Sequence, residues 1–214
     1  GNYDNIVQDS YHCLNDDLVV INYDLVSIFS KYSSFFENFD EDEISELYTS
    51  ITNDIDLILK NLIQIPTVVF NSFSGFGTYV NSLIPSKVSI FANKLNQYLY
   101  SRKETNLNIL DINVAMAKVG IENSYDARMF YVSKTLYTIS FWKEYVYELS
   151  SVIFKITGRL KKAMIFDCDN TLWKGILGED GMDGIDMSAE SNIGQIFNRI
   201  QQIAVWLSKQ GVIV

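Results

Sequence analysis

The chain contains 214 residues, with 48% hydrophobic and 14% aromatic side chains and a formal net charge of -9. This composition is sufficient for one large or two small folded domains and argues against disorder. The negative charge disfavours a nucleic-acid-binding surface and attraction to anionic membranes, and no apolar run approaches the roughly 20 residues that cross a bilayer.

The two cysteines, Cys13 and Cys168, are too few for a disulfide framework. We therefore expect a reducing compartment, the cytoplasm. From the negative charge and the lack of a long apolar run, we expect neither nucleic acid nor a membrane as partner.

Short apolar runs along the chain predict strands, and these runs are continuous rather than alternating. Continuous runs favour strands that are buried on both faces of a parallel sheet. The predicted strands cover residues 18–22, 67–70, 107–111 and 163–167, and a last one begins at Val212.

Apolar residues at helical spacing predict helices between these strands. The predicted helices are 44–62 behind the acidic run 40–43, 88–99 with Ser86 as its cap, 129–160, and 193–207 ended by Gly211. Alternation of strands and helices predicts the α/β class with right-handed crossovers. A turn signal at Gly158 and the basic cluster after it predict a domain boundary, which gives domains 1–160 and 161–214.

A motif able to support chemistry follows the strand predicted at 163–167. That run ends in Asp167, and Asp169, Asn170 and Thr171 come next. Functional residues collect at the carboxyl ends of strands in an open parallel sheet, and two like charges there are costly unless a cation relieves them. Mg²⁺ suits this role, because it takes oxygen ligands and keeps waters that a substrate phosphate can displace. By itself, the D-x-D-x-T pattern is also typical of a strand end with an Asx-type turn.

The motif resembles the first motif of the HAD superfamily, DxDx(T/V), and the residues after it, LWKGILGEDGMDGI, resemble the stretch that FkbH-like proteins carry there. The resemblance implies that 161–214 is the first part of a Rossmann-like HAD domain, with a one-turn helix and a β-hairpin flap over the site. It implies that Asp167 is the nucleophile and a Mg²⁺ ligand. It also implies that Asp169 is the general acid/base and a second metal ligand through its backbone carbonyl. Asn170 and Thr171 are the predicted substrate-binding residues, and Thr171 tightens the loop.

These roles make chemical sense apart from the resemblance, since a carboxylate can attack phosphorus to form an aspartyl phosphate and a second acid can protonate the leaving group. The resemblance implies a Mg²⁺-dependent phosphatase, or a phosphoryl or glyceryl transferase, whose substrate is a phosphorylated small molecule or an acyl phosphate. FkbH-like proteins take a glyceryl unit from 1,3-bisphosphoglycerate and pass it to an acyl carrier protein, which is the candidate partner.

The later motifs of the family, a Ser or Thr, a Lys and an acidic pair, do not occur before Val214. We therefore expect this chain to be inactive by itself, because a nucleophilic carboxylate without those groups binds magnesium and phosphate poorly. The alternative function is a non-catalytic module that docks an acyl carrier protein or a glycan, with a degenerate HAD part.

Cys168, between the two acids, has two interpretations. A thiolate there could hold a glyceryl group as a thioester before transfer. We expect instead a packed side chain that points away from the acids, because neighbours alternate at a strand end and nearby carboxylates disfavour a thiolate.

Residues 1–160 resemble the SGNH-hydrolase-like region that precedes the HAD domain in FkbH-like proteins, through DLVVINYDL, PTVVFNSF, NILDINVAMAKVGI and SYDARMFYVSKTLYT. The resemblance implies a three-layer α/β/α domain. No Ser-His-Asp arrangement is evident, and the single histidine is His12, so we expect this domain to be non-catalytic. Asp24, Asn71 and Asp126 are candidates to line a surviving pocket, and are otherwise strand-end turn residues.

Overall fold

The structure is a computed structural model that describes residues 5–13, 15–32, 35–76 and 86–214. Its internal contacts divide the chain into two units, Gly1–Ile156 and Thr157–Val214. The division lies a few residues before the domain boundary placed from the sequence.

The first unit contains a three-stranded parallel sheet in the order β1-β2-β3. The strands are β1 (Leu18–Ile21), β2 (Thr67–Asn71) and β3 (Leu107–Leu110). Val69 of β2 lies between Val20 of β1 and Asn108 of β3. Every residue of β2 is buried, which confirms the interpretation of its continuous apolar run as a central parallel strand.

Helices account for most of the remaining residues that the structure describes in the first unit. They are α1 (Ile6–Ser10), α2 (Leu25–Phe29), α3 (Glu41–Asn61), α4 (Lys87–Ser101), α5 (Ile112–Val119), α6 (Ile121–Ser124), α7 (Ala127–Ser133) and α8 (Ile139–Ile156), with a 3-10 turn at Phe36–Asn38. None of the described helices is both long and apolar enough to span a bilayer.

Two helix starts are capped by side chains: the cap at Ser86 was predicted, and the predicted acidic start of α3 also supplies a capping box that was not. Asp40 and Glu43 form a reciprocal capping box, in which each side chain accepts a hydrogen bond from the other residue's backbone N–H at 2.8 and 2.9 Å. Ser86 Oγ accepts from Ser89 N at 3.1 Å. Such caps satisfy N–H groups that the helix itself leaves unpaired, and each contributes about 1 kcal/mol.

Two buried clusters cover opposite faces of the sheet. Val68 and Phe70 belong to the cluster formed with α3 and α4, whereas Val69 belongs to the cluster formed with α5, α7 and α8. Successive strand residues point to opposite faces, so a strand buried on both sides must supply apolar side chains to both clusters. The first unit therefore has the predicted three-layer α/β/α arrangement.

The single helix predicted for 129–160 is wrong. Lys134 ends α7 with a left-handed φ of 58°, and the chain then forms an antiparallel bridge between Tyr125 and Tyr137 before α8 begins. Thr138 Oγ1 accepts from Phe141 N at 3.2 Å and so caps the new helix. Apolar spacing did not reveal this break, because both flanks keep a helical period.

The second unit contains α9 (Leu177–Gly184) and α10 (Gly194–Lys209). Beyond α10, Gly211 has a φ of 86°. This left-handed backbone, which glycine adopts without strain, confirms its predicted role as the helix terminator. Within 157–214, all of which the structure describes, Gly194 is the one buried residue.

The strand predicted at 163–167 is not formed. Ala163 instead makes one parallel bridge with Ile213, in which Met164 N donates to Ile213 O and Ile213 N donates to Lys162 O, both at 2.8 Å. A parallel strand requires successive pairs and burial of its faces. Among the described residues only Ile213 pairs with this run, and the Ile165 side chain is 96% exposed.

Candidate active site in the second unit

The loop after the apolar run 163–166 begins with an exposed carboxylate. Asp167 is exposed, and its Oδ1 accepts a hydrogen bond from Cys168 N at 2.8 Å. The Cys168 carbonyl then accepts from Thr171 N at 3.2 Å and Leu172 N at 2.8 Å. The chain therefore makes one helical turn directly after Asp167, and Thr171 tightens the loop through its backbone.

Asn170 closes this loop with its side chain. It adopts a left-handed φ of 52°, which asparagine tolerates better than most residues. Its Oδ1 accepts from Gly175 N at 2.9 Å, and its N–H donates to Gly175 O at 3.3 Å. The amide oxygen of Asn170 thus serves the loop, and its predicted contact with substrate stays a prediction.

Asp169 connects the loop to the segment that follows. Its Oδ1 accepts from Trp173 Nε1 at 3.0 Å and from Leu177 N, at the start of α9, at 3.1 Å. Negative charge at a helix N-terminus is favourable, because the first N–H groups of a helix lack internal partners. Asp169 is therefore held in one orientation, and Trp173 anchors the segment through its indole N–H.

Residues 174–186, here called the flap, contain α9 and are closed by a single antiparallel bridge, so the predicted β-hairpin is not formed. Lys174 and Asp186 exchange two backbone hydrogen bonds, at 2.9 and 3.1 Å, in an antiparallel bridge. Between them, Asp180 Oδ2 accepts from Ile176 N at 2.7 Å, and Gly175 has a φ of 99°. Glycine is required at that position, because a side chain there would be strained by the backbone and crowded by Asp180.

A second polar cluster, missed by sequence reasoning, joins the flap to α10. Asp186 accepts from Ser191 Oγ at 2.5 Å and Ser188 N at 3.0 Å. The Ser191 hydrogen bond, followed by that of Ser188, lowers the pKa of Asp186 below its usual range. Gly194 lies against this cluster, where a Cβ atom would come within 2.4 Å of Asp186 Oδ1. The spacing D-x-S-x-x-S, an Asx-type signal, was the available clue.

The loop offers oxygen atoms for a metal. The Oδ2 atoms of Asp167 and Asp169 receive no hydrogen bond from any residue that the structure describes. One or two carboxylates are the usual protein ligands of Mg²⁺, which fills its other positions with water and substrate oxygens. Groups of three or more His, Cys, Asp or Glu side chains able to hold a metal are absent from the described residues. The donors therefore fit a Mg²⁺ ion with open positions rather than a closed structural metal site.

The packed position expected for Cys168 is wrong, because its side chain is exposed. The expectation assumed a regular strand ending at Asp167, where alternation would turn Cys168 into the protein. The strand is not formed, and the turn beginning at Cys168 removes that alternation. The thiol is thus accessible to a molecule bound near the two acids.

Each candidate in the first unit has a local structural role. Asp24 caps α2, with Oδ1 accepting from Ser27 N at 2.8 Å. Asn71 is buried at the end of β2 and Asp126 caps α7 through Arg128 N. The His12 side chain makes no hydrogen bond with any described hydroxyl group.

Comparison with known proteins adds one fold relationship. No family model matches the sequence, and no curated protein matches it. A crystal structure of the N-terminal part of the protein BF1531 from Bacteroides fragilis, described as containing a phosphatase domain and complexed with Mg, is similar with a TM-score of 0.70 and 21% identity. The match covers 95% of this chain and 54% of that chain, so the present chain spans about half the length of the crystallised part. The chain therefore has the mixed α/β fold of that phosphatase-containing protein part.

Proposed function

We propose that the gene product carries out Mg²⁺-dependent phosphoryl transfer, with Asp167 as nucleophile and Asp169 as general acid/base. One observation carries the proposal: an exposed carboxylate lies two residues before a second carboxylate that the flap holds in place. The segment that contains these two acids is similar to a HAD-type first motif. The chain also shares its fold with a phosphatase-containing structure that was complexed with Mg. Both similarities support the same reaction class.

The reaction can be written with the two acids of this loop. A carboxylate oxygen of Asp167 attacks phosphorus, the bond from phosphorus to the leaving oxygen breaks, and that oxygen takes a proton from Asp169 Oδ2. Water then attacks the aspartyl phosphate, with Asp169 accepting its proton, and Asp167 is regenerated. Bound Mg²⁺, held by Asp167 Oδ2 and the Asp169 backbone carbonyl, would neutralise the phosphate charge. Because Asp169 Oδ1 accepts two hydrogen bonds, Oδ2 is the oxygen available for proton exchange.

The direct test is hydrolysis of a generic phosphate ester by the full gene product, with and without Mg²⁺. Asp167→Asn should abolish hydrolysis, since an amide is neither a competent nucleophile nor an anionic ligand. Glu190→Gln is the matched control, because Glu190 is an exposed acid of the same unit and lies outside the flap. Hydrolysis that survives in Asp167→Asn, or that proceeds in EDTA, would exclude this mechanism.

Glyceryl transfer, the finer function that the FkbH-like resemblance implies, gains support from the exposed Cys168. Its thiolate would attack the carbonyl carbon of an acyl phosphate, the bond to the phosphate oxygen would break, and the resulting thioester would pass to the thiol of an acyl carrier protein. Incubation with 1,3-bisphosphoglycerate should then give a glyceryl adduct in the intact mass that is lost in Cys168→Ser and kept in Cys13→Ser. An adduct that persists in Cys168→Ser would show that another residue carries the glyceryl group. If neither assay detects activity, the non-catalytic docking module becomes the better proposal.

A further inference from the structure

The side chain of Gln201 connects α10 to the loop that carries the two acids. Its Nε2 donates to the backbone carbonyl of Leu172 at 2.6 Å. A carbonyl oxygen can only accept, so the amide nitrogen of Gln201 must be the atom that faces it. The two residues are 29 positions apart in the chain and both belong to the second unit. The contact therefore depends on the fold of that unit and not on a local turn.

The same amide group also reaches the end of the flap. Gln201 Nε2 lies 3.3 Å from Met187 Sδ. Met187 directly follows Asp186, which closes the flap through its bridge with Lys174. An NH₂ group carries two hydrogens, so it can serve the carbonyl and, more weakly, the thioether. One side chain of α10 thus contacts both the loop and the end of the flap.

The backbone of Leu172 transmits this contact toward the acids. Its N–H donates to the Cys168 carbonyl at 2.8 Å, and its carbonyl accepts from Gln201. That carbonyl is part of the planar peptide group that leads into Trp173. The indole Nε1 of Trp173 in turn donates to Asp169 Oδ1 at 3.0 Å. The contacts that begin at Gln201 therefore end at the carboxylate of Asp169.

Partial burial strengthens this series of contacts. The four residues that it joins are all half-buried, namely Asp169, Leu172, Trp173 and Gln201. Hydrogen bonds that water does not fully replace hold a loop more firmly than exposed ones. Asp167, the other acid of the loop, is exposed and accepts only from the neighbouring backbone. The series therefore concerns the second acid and not the nucleophile.

We infer that Gln201 is a positioning residue for the general acid. By fixing the peptide group between Leu172 and Trp173, it keeps Asp169 Oδ2 directed at the leaving oxygen of the substrate. The inference rests on the proposed phosphoryl transfer and requires no contact between Gln201 and substrate. Removal of the amide should impair proton transfer to the leaving group more than the attack of Asp167 on phosphorus.

Two esters with different leaving groups separate this role from a purely structural one. Para-nitrophenolate departs readily as an anion, whereas the phenolate of phenyl phosphate depends more on protonation. Gln201→Met has a similar volume but no donor. In the full gene product with Mg²⁺, it should lower kcat about tenfold for phenyl phosphate and less than about threefold for para-nitrophenyl phosphate, with each KM within about twofold. A smaller folded fraction would lower both rates equally.

Two further variants control the measurement. Gln201→Lys keeps a donor on a flexible side chain, and it should return kcat for phenyl phosphate to within about threefold of the unchanged protein. Gln202→Met is the matched control, because Gln202 is exposed and its Nε2 donates to Asn198 within α10 at 2.8 Å. It should hydrolyse both esters at unchanged rates. No loss in Gln201→Met, or an equal loss for the two esters, would overturn the inference.

Hydrogen exchange of the Trp173 indole N–H tests the same contacts without metal or substrate. The 214-residue chain contains three tryptophans, and the NMR signal that is missing in Trp173→Phe identifies this indole. Its exchange should be severalfold faster in Gln201→Met and unchanged in Gln202→Met. Unchanged exchange in Gln201→Met would overturn the inference alone. If the unchanged gene product hydrolyses neither ester, the proposed function fails, and the catalytic role of Gln201 fails with it.

Discussion

The hydroxyl group of Tyr145 should contribute measurably to the stability of the first unit. Tyr145 OH donates to Asn71 Oδ1 at 2.9 Å, and Asn71 Nδ2 donates in turn to Asn22 Oδ1 at 3.2 Å. This chain of polar groups joins α8 to the ends of β2 and β1. Asn71 is 2% exposed and Tyr145 is 4% exposed, so water does not readily replace a lost partner.

Tyr145→Phe keeps the ring and its packing but leaves the Asn71 oxygen buried without a donor. An unsatisfied buried acceptor costs about 1–3 kcal/mol of unfolding free energy. For a unit of this size, that corresponds to a fall in Tm of roughly 3–10 °C. Urea and thermal unfolding, followed by circular dichroism, measure both quantities.

Tyr147→Phe is the matched control on the same helix. Tyr147 is 69% exposed, and its ring, 5.3 Å from Lys118 Nζ, is kept in phenylalanine. Its unfolding free energy should change by less than about 0.5 kcal/mol. If Tyr145→Phe unfolds at the same urea concentration as Tyr147→Phe, the buried polar chain does not stabilise the unit as argued.

Two further predictions concern alkaline stability and the flap. Burial, reinforced by the charge of Asp54, raises the pKa of Tyr23. The stability that its neutral hydroxyl provides is therefore present below pH about 10 and is lost as pH rises through the raised folded-state pKa. In urea titrations, the unfolding free energy of Tyr23→Phe should depend less on pH above pH about 10 than that of the unchanged protein, and an equal slope would contradict the assignment. Gly194→Ala should loosen the flap, because its Cβ would lie 2.4 Å from Asp186 Oδ1. The clash should cost about 1–3 kcal/mol of folding free energy. Gly178→Ala is the control, because its Cβ would meet no atom within 4 Å. Hydrogen exchange of the flap amides should increase only in the first of these two variants.

The sequence predicted the local features of the first unit well, because each depends on neighbouring residues. The buried run of β2, the acidic start of α3 and the cap at Ser86 are signals that lie within a few positions. The chain from Tyr145 to Asn71 was not foreseeable, since its partners are 74 residues apart. Only the folded sheet and α8 bring them together.

In the second unit, the sequence predicted the loop better than the strand before it. The DCDNTLW pattern indicates a turn with short-range hydrogen bonds, and Asn170, Thr171 and Trp173 form them. The run 163–167 has strand composition, but a strand also requires partners along its length, which composition does not reveal. The wrong expectation that Cys168 is packed follows from the same error.

The most direct test of the central claim is chemical trapping of an aspartyl phosphate on the full gene product. The protein is mixed with a phosphate ester and Mg²⁺, quenched with borohydride, digested and analysed by mass spectrometry. Because borohydride reduces an acyl phosphate to an alcohol, the account predicts homoserine at position 167 and an unmodified Asp169. Homoserine at position 169 instead, or no homoserine in a sample that is hydrolysing substrate, would contradict the assignment of Asp167 as the nucleophile.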